Sequence, residues 1–569
     1  MPFRRVLLSL LLLSLLTAFA TACVTNAASP TVVPTQPPSA GSTATAASSG
    51  TATSTPTAVP PTNDWAKDAV FYEIFVRSFY DSDGDGIGDF RGLTEKLDYL
   101  NDGDPTTDTD LGVTGIWLMP IFPSPSYHGY DVTDYYTTNP EYGTLEDFQA
   151  LLDAAHERGI RVIIDFVLNH TSDQHPWFQA AAAGDPQYRD FYLWSETKPT
   201  YRGPWDQEVW HLRNGSFYYG VFVKEMPDLN YNNPAVTAEM QKVAAYWLNE
   251  VGVDGFRLDG AKHLIEQGPV QENTSKTHAW FKDFRAFYQG VKPDALVVGE
   301  VWSPTSQMAR YVNDGELDLV FNFTLAEDML QSAAFQIGRR ASNSINQQQR
   351  YFTDGPYAPF LANHDQPRVM TRLNGNVNAA KAAASMLLSA PGTPFLYYGE
   401  EIGMTGDKPD PDIRTPMQWT GGTNAGFTTG QPWRPANSDA AKGNVEDQTA
   451  DPGSLLSHYR RLIRARAELP ALRHGEIVPA IPSDAKVYAA LRVTEDETVL
   501  MLVNLAEAPL SGVTLEWAES PLRGTLQPSV ILGEGQPAPL TVNDQGGVEG
   551  YLPLPELPAN STIIVRYQK

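Results

Sequence analysis

Three carboxylic acids stand at the ends of short apolar runs, where their side chains could act on a bound molecule. Arg257 and Asp259 close one such run and lie two positions apart, and alternate residues of a strand point to the same face. A neighbouring guanidinium keeps a carboxylate ionised, as a carboxylate nucleophile must be at neutral pH. Glu300 and Asp365 end two further runs, and either could supply a partner carboxyl that stays protonated and acts as a general acid.

The elements that position these residues follow a repeating order of helix and strand. Thr144 is a suitable N-cap for an amphipathic helix over 145–158, and Gly159 separates that helix from the next apolar run. Strands are predicted at 69–74, 160–168, 255–259, 295–301 and 394–398, and a second long helix at 234–250. Such alternation over roughly 400 residues predicts a parallel sheet covered by helices, either open or closed as a barrel.

Two regions depart from this order. Residues 171–230 are rich in Trp, Tyr, Gly and Pro and lack a clear period, which indicates an insertion after a strand. Beyond a helix at 455–467, short β-like runs at 487–493, 499–505, 513–517 and 563–567 predict an all-β C-terminal domain. The predicted domains are a domain of alternating helices and strands at 63–170 and 231–472, an inserted domain at 171–230, and a β domain at 473–569.

The first residues have the pattern of a secretory signal. Arg4 and Arg5 precede an apolar run at 6–16, and small residues lead to Cys23, which is the only cysteine of the chain. The stretch resembles a bacterial lipoprotein signal, which implies cleavage after residue 22 and lipidation of Cys23. The alternative is an ordinary signal peptide with an incidental cysteine. Residues 23–62, almost all Thr, Ser, Ala, Pro and Gly, predict a disordered tether.

Composition narrows the classes of partner. The 569 residues include 41 Lys and Arg against 67 Asp and Glu, giving a formal net charge of -26, which would repel nucleic acid and anionic lipid headgroups. A neutral partner is therefore expected, with membrane contact through the lipid anchor only. The oligomeric state is left open. Export to the outer face of the cell membrane, or to the medium, follows from the signal.

Five segments resemble, in order, the motifs of the α-amylase family, glycoside hydrolase family 13, across most of residues 65–569. They read DFVLNH at 165–170, MPDLN at 226–230, GFRLDGAKH at 255–263, GEVW at 299–302 and LANHD at 361–365. The form of MPDLN is intermediate between the oligo-1,6-glucosidase and neopullulanase types. The resemblance implies an α/β fold: a (β/α)8 TIM barrel with an irregular domain inserted after the third strand and a C-terminal all-β sandwich.

The resemblance also implies roles for individual residues. Asp259 would be the nucleophile of a retaining hydrolase, Glu300 the general acid and base, and Asp365 the carboxylate that binds sugar hydroxyls and distorts the ring. The expected activity is cleavage of internal α-1,4-glucosidic bonds in starch-like α-glucans and maltooligosaccharides. Substrate contacts are expected from Tyr130, His170, Arg257, Lys262, His263 and His364, with Asp165 and Asn169 in supporting positions.

An Asp-rich loop at 81–89 predicts a structural metal site. Carboxylates at alternating positions suit the hard oxygen coordination of Ca²⁺, although Gly92 stands where an EF-hand requires a bidentate Glu. Similar loops in oligo-1,6-glucosidase-like members of the family bind Ca²⁺ or Mg²⁺. The implied ligands are Asp81, Asp83, Asp85, the carbonyl of Ile87, and Asp89. A second calcium site of the family, between barrel and insertion, could involve Asn169, and a solvated acidic turn is the alternative for the loop itself.

The motifs leave other activities of the family open. The segments RTPMQW at 414–419 and NAGF at 424–427 resemble oligo-1,6-glucosidases and trehalose synthases, so an exo-acting α-glucosidase, a cyclomaltodextrinase or a glucanotransferase is an alternative. Against the exo-enzymes, Tyr127 stands where they usually carry an Asp, and they lack the Lys262–His263 pair. A non-catalytic glucan-binding lipoprotein is a further alternative, which the retention of all three carboxylates disfavours.

Overall fold

The computed structural model describes residues 62–441 and 443–568. The predicted signal peptide, Cys23 and almost all of the predicted tether lie outside the described residues. Within the described part of the chain, no helix has both the length and the apolar character needed to span a membrane.

Seven parallel strands form the central sheet, and each is buried along nearly its whole length. They are β1 (Phe71–Ile74), β2 (Gly115–Leu118), β3 (Arg161–Phe166), β4 (Gly255–Leu258), β5 (Leu296–Gly299), β6 (Leu319–Val320) and β7 (Phe395–Tyr397). Their spatial order is β7-β1-β2-β3-β4-β5-β6. Apolar runs of this kind, buried on both faces, are typical of parallel sheets covered by helices.

The sheet closes on itself through a short segment before β7. Ala358 donates its backbone N–H to the carbonyl of Val320 at 2.9 Å, and Phe395 donates to the carbonyl of Pro359 at 2.9 Å. One parallel bridge between Phe321 and Ala358 marks this segment, which occupies the place of an eighth strand. The predicted TIM barrel is therefore confirmed. Of its eight strands, the one between β6 and β7 along the chain consists of a single bridge.

Helices surround the barrel and make its connections. The α-helices are Trp65–Asp68, Val76–Phe79, Phe90–Glu95, Leu97–Leu100, Leu145–Glu157, Pro176–Ala182, Pro234–Ala245, Ser275–Val291, Thr305–Asn313, Phe323–Phe335, Gly338–Gln348, Val369–Arg372, Val377–Ser389, Asp410–Ile413, Val445–Ala450, Leu455–Glu468 and Pro470–His474, with 3-10 turns at Arg189–Phe191, Ala261–His263 and Thr423–Gly426. The helix predicted at 145–158 begins with a capping box between Thr144 and Asp147. The helix predicted at 234–250 continues after Ala245 as a π-helix, Tyr246–Val251, and ends at Gly252, whose φ is 98°.

The insertion after β3 contains a small sheet that the irregular sequence did not predict. Its antiparallel strands are Trp194–Ser195, Trp210–Arg213 and Ser216–Tyr219. Trp210 and Tyr219 of these strands form a separate apolar cluster with Val209 and Val221. The insertion therefore has a small core of its own and can hold side chains over the barrel rim.

The C-terminal region is an antiparallel β domain, as predicted. Its strands are Glu476–Val478, Ile481–Pro482, Val487–Val493, Thr498–Asn504, Leu510–Ser511, Leu515–Trp517, Thr525–Leu532, Leu540–Thr541, Val548–Tyr551, Glu556–Leu557 and Ser561–Gln568. Val487–Val493 is buried on both faces: Tyr488 and Ala490 belong to the barrel's apolar core, whereas Val487 and Leu491 face the core of the β domain. The boundaries predicted between the domains stay predictions.

Candidate active site

The predicted catalytic residues lie where the barrel strands end. In the parallel register, Arg257 on β4 is opposite Asp165 on β3. Asp259 and Glu300 directly follow β4 and β5, which are adjacent in the sheet. The carboxyl ends of parallel barrel strands are where active sites of this fold are found. Short strands that end together thus bring these side chains to one place.

Arg257 joins three carboxylates through one buried guanidinium. Its Nη1 donates to both oxygens of Asp165 at 2.9 Å and to Oδ1 of Asp259 at 3.0 Å, and its Nη2 donates to Oε2 of Glu300 at 2.5 Å. The arginine is fully buried. Because the guanidinium is planar and has fixed donor directions, it sets the orientation of Asp259 relative to Glu300. Burial raises the pKa of Asp165 to about 6, although Arg257 acts in the opposite direction.

Glu300 has the properties of a proton carrier. Burial raises its pKa to about 7, and the nearby charges of Asp259 and Asp365 add to this rise, while Arg257 opposes it. A carboxyl group with a pKa near neutrality can both give up and take back a proton at working pH. The backbone N–H of Gly260 also donates to Oε2 of Glu300 at 3.3 Å.

Asp365 belongs to a chain of polar contacts that ends at β1. Its Oδ2 lies 3.1 Å from Nε2 of His364, and that nitrogen also lies 2.6 Å from the hydroxyl of Tyr130. The other ring nitrogen, Nδ1, bonds to the buried carboxylate of Glu73. Burial alone would lower the pKa of His364, but Asp365 and Glu73 raise it to about 9. The histidine is therefore a cation at neutral pH.

Arg414 forms the other side of the Asp365 site. Its Nη2 donates to Oδ1 of Asp365 at 2.8 Å, and its Nε donates to the carbonyl of His364 at 2.9 Å. Burial would raise the pKa of Asp365, but the charges of His364 and Arg414 lower it well below its ordinary range. Asp365 is thus held as an anion, in contrast to Glu300. The motif that contains Arg414 resembled related enzymes, but it did not predict the contact between Arg414 and Asp365.

The three catalytic carboxylates Asp259, Glu300 and Asp365 line a cleft of about 600 Å³. Arg257 and His364, which were predicted to contact substrate, are fully buried and do not line it. The predicted residues that line it are Tyr130, His170, Asp259, Lys262, His263, Glu300 and Asp365, and those not predicted are His128, Trp205, Phe222, Val223, Met226, Gly260, Trp302, Asp410 and Arg414. Lys262 pairs with Glu272 at 2.7 Å and donates to the carbonyl of Trp302 at 2.9 Å. Its Nζ is thus fixed at the cleft edge.

Two exposed indole rings lie at the cleft. Trp205, from the insertion, is 57% exposed and Trp302 is 51% exposed. Trp205 stacks on Phe222 with ring centroids 5.9 Å apart and lies 5.3 Å from the ring of His263. Flat rings with one free face suit the apolar faces of sugars. Burial lowers the pKa of His263 to about 4, so that its ring is neutral beside the tryptophan.

His170 and Asn169 differ in what they face. His170 lines the cleft, burial lowers its pKa, and neither ring nitrogen has a hydrogen-bond partner among the residues that the structure describes. Asn169 does not line the cleft. Its buried amide atoms have no partner, nor does Oδ2 of buried Asp228, and burial raises the pKa of Asp228 well above its ordinary range. Unsatisfied oxygens of this kind could hold a cation between barrel and insertion.

The acidic loop brings together three of its four carboxylates. Oxygens of Asp81, Asp83 and Asp89 all lie within 4.8 Å of one another, whereas Asp85 is not part of this group. Asp81 is buried and accepts N–H bonds from Gly84 and Gly86, each at 2.7 Å. Hard carboxylate oxygens at this spacing fit the chemistry of Ca²⁺ or Mg²⁺.

Comparisons with known proteins agree with this geometry. The family model described as the alpha-amylase catalytic domain matches residues 73–475. Alpha-amylase 3 of Dictyoglomus thermophilum is 42% identical over 452 residues, covering 78% of this chain and 85% of that protein. A trehalose synthase/amylase of Mycolicibacterium smegmatis is 36% identical, covering 78% and 85%, and a probable oligo-1,6-glucosidase 2 of Bacillus subtilis is 32% identical, covering 82% and 94%.

Solved structures extend the match to the fold. The crystal structure of an α-amylase from H. orenii is 43% identical and superposes with a TM-score of 0.78, covering 88% of this chain and all of that one. The relatives carry the names of different activities, but they share one family and one barrel. Because the family model covers most of the chain and the catalytic carboxylates lie together in its cleft, this protein is a glycoside hydrolase of the α-amylase family.

Proposed function

We propose that the protein is an endo-acting α-amylase that hydrolyses internal α-1,4-glucosidic bonds of starch and maltooligosaccharides with retention of configuration. The observation that carries the proposal is the arrangement around Arg257: it contacts Asp259 and Glu300 from one guanidinium, beside an open cleft. Double displacement needs a nucleophilic carboxylate and an acid that are close together, roughly 5 to 5.5 Å apart, and a guanidinium bonded to both holds them near each other.

The two steps follow from the charges of the site. The carboxylate of Asp259 attacks the anomeric carbon and forms a glycosyl ester, while Glu300 protonates the departing glycosidic oxygen. Glu300 then takes a proton from water, which attacks the same carbon and releases Asp259. Asp365, kept anionic by His364 and Arg414, accepts hydrogen bonds from ring hydroxyls and stabilises the positive charge that develops on the sugar.

The exposed tryptophans of the cleft support endo action. Trp205 and Trp302 both expose about half of their surface beside Lys262 and His263, which leaves room for further sugar units on the leaving-group side. An exo-enzyme requires a cleft closed at one end, so that only a chain terminus can enter. The 42% identical relative bears the name alpha-amylase 3, which agrees with this reading.

A time course of products from amylose, maltotriose and pullulan tests the proposal. We expect a rapid fall in iodine staining and early release of mixed maltooligosaccharides from amylose. Glu300→Gln should lose at least a hundredfold in turnover, whereas Glu446→Gln, on an exposed helix, should match the wild type. Glucose as the sole early product would contradict endo action, and unchanged turnover of Glu300→Gln would contradict the assigned roles.

Transglycosylation is a second candidate activity, because relatives named trehalose synthase/amylase are 36% identical and Arg414, in the motif shared with them, contacts Asp365 directly. In such an enzyme, a sugar hydroxyl replaces water in the second step. Incubation with concentrated maltose distinguishes the two activities: a transferase forms trehalose or longer oligosaccharides, whereas a hydrolase forms glucose.

We further propose that the acidic loop binds a structural Ca²⁺ or Mg²⁺ ion. The three carboxylates of Asp81, Asp83 and Asp89 would repel one another without a cation, and their oxygens lie close enough to share one. A chelator should lower the melting temperature, and added Ca²⁺ should restore it. Asp83→Asn should remove this response, whereas Asp104→Asn, in another exposed turn, should keep it. A melting temperature that does not respond to chelator would refute the site.

We also propose that the protein is exported and anchored through lipidated Cys23. The support is the signal pattern of the first residues and the position of the cysteine behind small residues. In a bacterial host, the wild type should partition with the membrane fraction, and Cys23→Ala should remain as an uncleaved precursor or be released. A wild type found in the cytoplasm would contradict the proposal.

A further inference from the structure

A second cavity lies at the opposite end of the barrel from the catalytic cleft. It measures about 390 Å³ and is lined by residues that precede the barrel strands, by the loop at 391–393 and by the start of the β domain. Lys67 precedes β1, Tyr357 precedes the bridge at Ala358, and Gly392 precedes β7. Since the catalytic carboxylates follow their strands, no group of the active site reaches this cavity.

Two buried arginines at the cavity have no carboxylate partner among the described residues. Arg466 is fully buried and Arg492 is 1% exposed. Within the described residues, Arg466 donates only to the carbonyls of Leu388, Ala390 and Gly392. Arg492, unlike Arg466, lines the cavity, and in the described part of the chain it donates only to the carbonyls of Gly475 and Ser389. Buried charges in proteins are normally paired.

The helix end that receives these bonds offsets only part of the charge. Four of the five carbonyls lie at or just beyond the C-terminus of helix Val377–Ser389, and such an end carries roughly half a negative elementary charge. Two guanidiniums bring two positive charges. Burial lowers the pKa of Arg466 to about 9, and the positive charges of Arg492 and Arg473 contribute to this. An excess of positive charge therefore remains.

Further donors around the cavity are unused. Tyr357 lines the cavity and is 2% exposed. Within residues 62–441 and 443–568, neither its hydroxyl nor the Nε of Arg473 has a hydrogen-bond partner. The Asp68 carboxylate is shared between Arg473 and His474, and Glu476 is the single carboxylate that lines the cavity. Lys67 also lines the cavity, but its ammonium is paired with Asp64 at 2.5 Å.

From these contacts we infer that the cavity is a binding site for a small oxyanion, of the phosphate or carboxylate class. Arg492 and Arg473 offer planar N–H donors, which match the paired oxygens of such anions, and the hydroxyl of Tyr357 offers a third donor. A bound oxyanion would neutralise charge that the helix end leaves over. It would also join the loop at 391–393 to the β domain, and so stabilise their contact.

Calorimetric titration of the full-length protein tests the inference, with inorganic phosphate and acetate as probes in chloride buffer of matched ionic strength. We expect one saturable site for at least one probe, and the stronger probe identifies the class. Arg473→Gln should weaken binding about tenfold, equivalent to about 1.4 kcal/mol. Arg202→Gln removes an exposed arginine from the insertion, at the other end of the barrel, and should leave the affinity unchanged.

Tyr357→Phe provides a second variant that keeps the aromatic packing and removes only the unused hydroxyl, and it should weaken binding severalfold. A saturable rise in melting temperature should accompany binding in the wild type, in contrast to the linear rise that excluded salts give. The absence of saturable binding of both probes would overturn the inference. So would equal affinity in the wild type, Arg473→Gln and Tyr357→Phe.

Discussion

The pKa of Glu300 gives a quantitative prediction for the pH dependence of catalysis. Burial raises this pKa from 4.5 to about 7, which favours the protonated form by about 3 kcal/mol. With that pKa, about nine-tenths of the enzyme carries the proton at pH 6 and about one-tenth at pH 8. Because the first step needs the acid form, we expect kcat/KM to fall about tenfold between pH 6 and pH 8.

The assay is kcat/KM for maltopentaose between pH 5 and pH 9, since this ratio reports the pKa values of the free enzyme. An aryl maltoside with a good leaving group provides the internal control. The aryloxide departs without needing a proton from Glu300. We therefore expect kcat/KM for the aryl maltoside to decline much less above pH 7. A parallel decline for both substrates would assign the alkaline limb to another group, such as His364.

The variant Glu300→Gln tests whether the pKa near 7 belongs to Glu300. We expect it to lose roughly a thousandfold on maltopentaose, to retain rapid first-step release of aryloxide, and to have no alkaline limb near pH 7. Azide, which needs no base, should accelerate the second step of the variant by attacking the glycosyl ester. An alkaline limb near pH 7 that persists in Glu300→Gln would refute the assignment of this pKa to Glu300.

Three further predictions concern binding and stability. Trp205→Ala should raise KM for long maltooligosaccharides roughly fivefold, through loss of about 1 kcal/mol of stacking, whereas Leu212→Ala, exposed on the same insertion, should not. Burial raises the pKa of Glu400 to about 8, so its contribution to stability is fully present below pH 4.5 and is lost as pH rises through 8. Glu400→Gln should therefore flatten the fall in urea stability between pH 5 and pH 9; a fall equal to the wild type would contradict this. Thr144→Ala removes a capping box and should cost about 1 kcal/mol in the same urea assay.

The sequence predicted those elements whose signals are local. The helix Leu145–Glu157 has its cap and stop within the chain segment itself, and the strand Val487–Val493 is apolar apart from Arg492. By contrast, Gly115–Leu118 and Leu319–Val320 are too short to give a period. The closing segment at Ala358 forms one bridge only, and its place is fixed by the two neighbouring strands rather than by its own residues.

The residues of the candidate site also differ in whether the sequence could predict them. The carboxylates and Arg257 carry motifs and could be proposed from the sequence, because strand ends in register bring them together. Trp205 and Phe222 come from an insertion without periodicity, and their stacking over the cleft depends on a small sheet that the sequence did not predict. Arg414 could be noticed through its motif, but its bond to Asp365 depends on the packing of a distant loop.

The charge of the two motif histidines, His170 and His364, depends on contacts that form only in the assembled barrel. From the motifs, His170 and His364 have the same expected task of binding sugar hydroxyls. In the structure, Glu73, 291 positions away along the chain, bonds to Nδ1 of His364, and with Asp365 it keeps this ring cationic. A cationic imidazole can only donate hydrogen bonds. Burial lowers the pKa of His170, and its ring nitrogens are free, so it can also accept a bond from a sugar hydroxyl. His364, by contrast, has Nδ1 bonded to Glu73 and Nε2 facing Asp365 and Tyr130. Of the two, His170 therefore has the ring nitrogens free for a sugar hydroxyl, a distinction that depends on where β1 places a carboxylate.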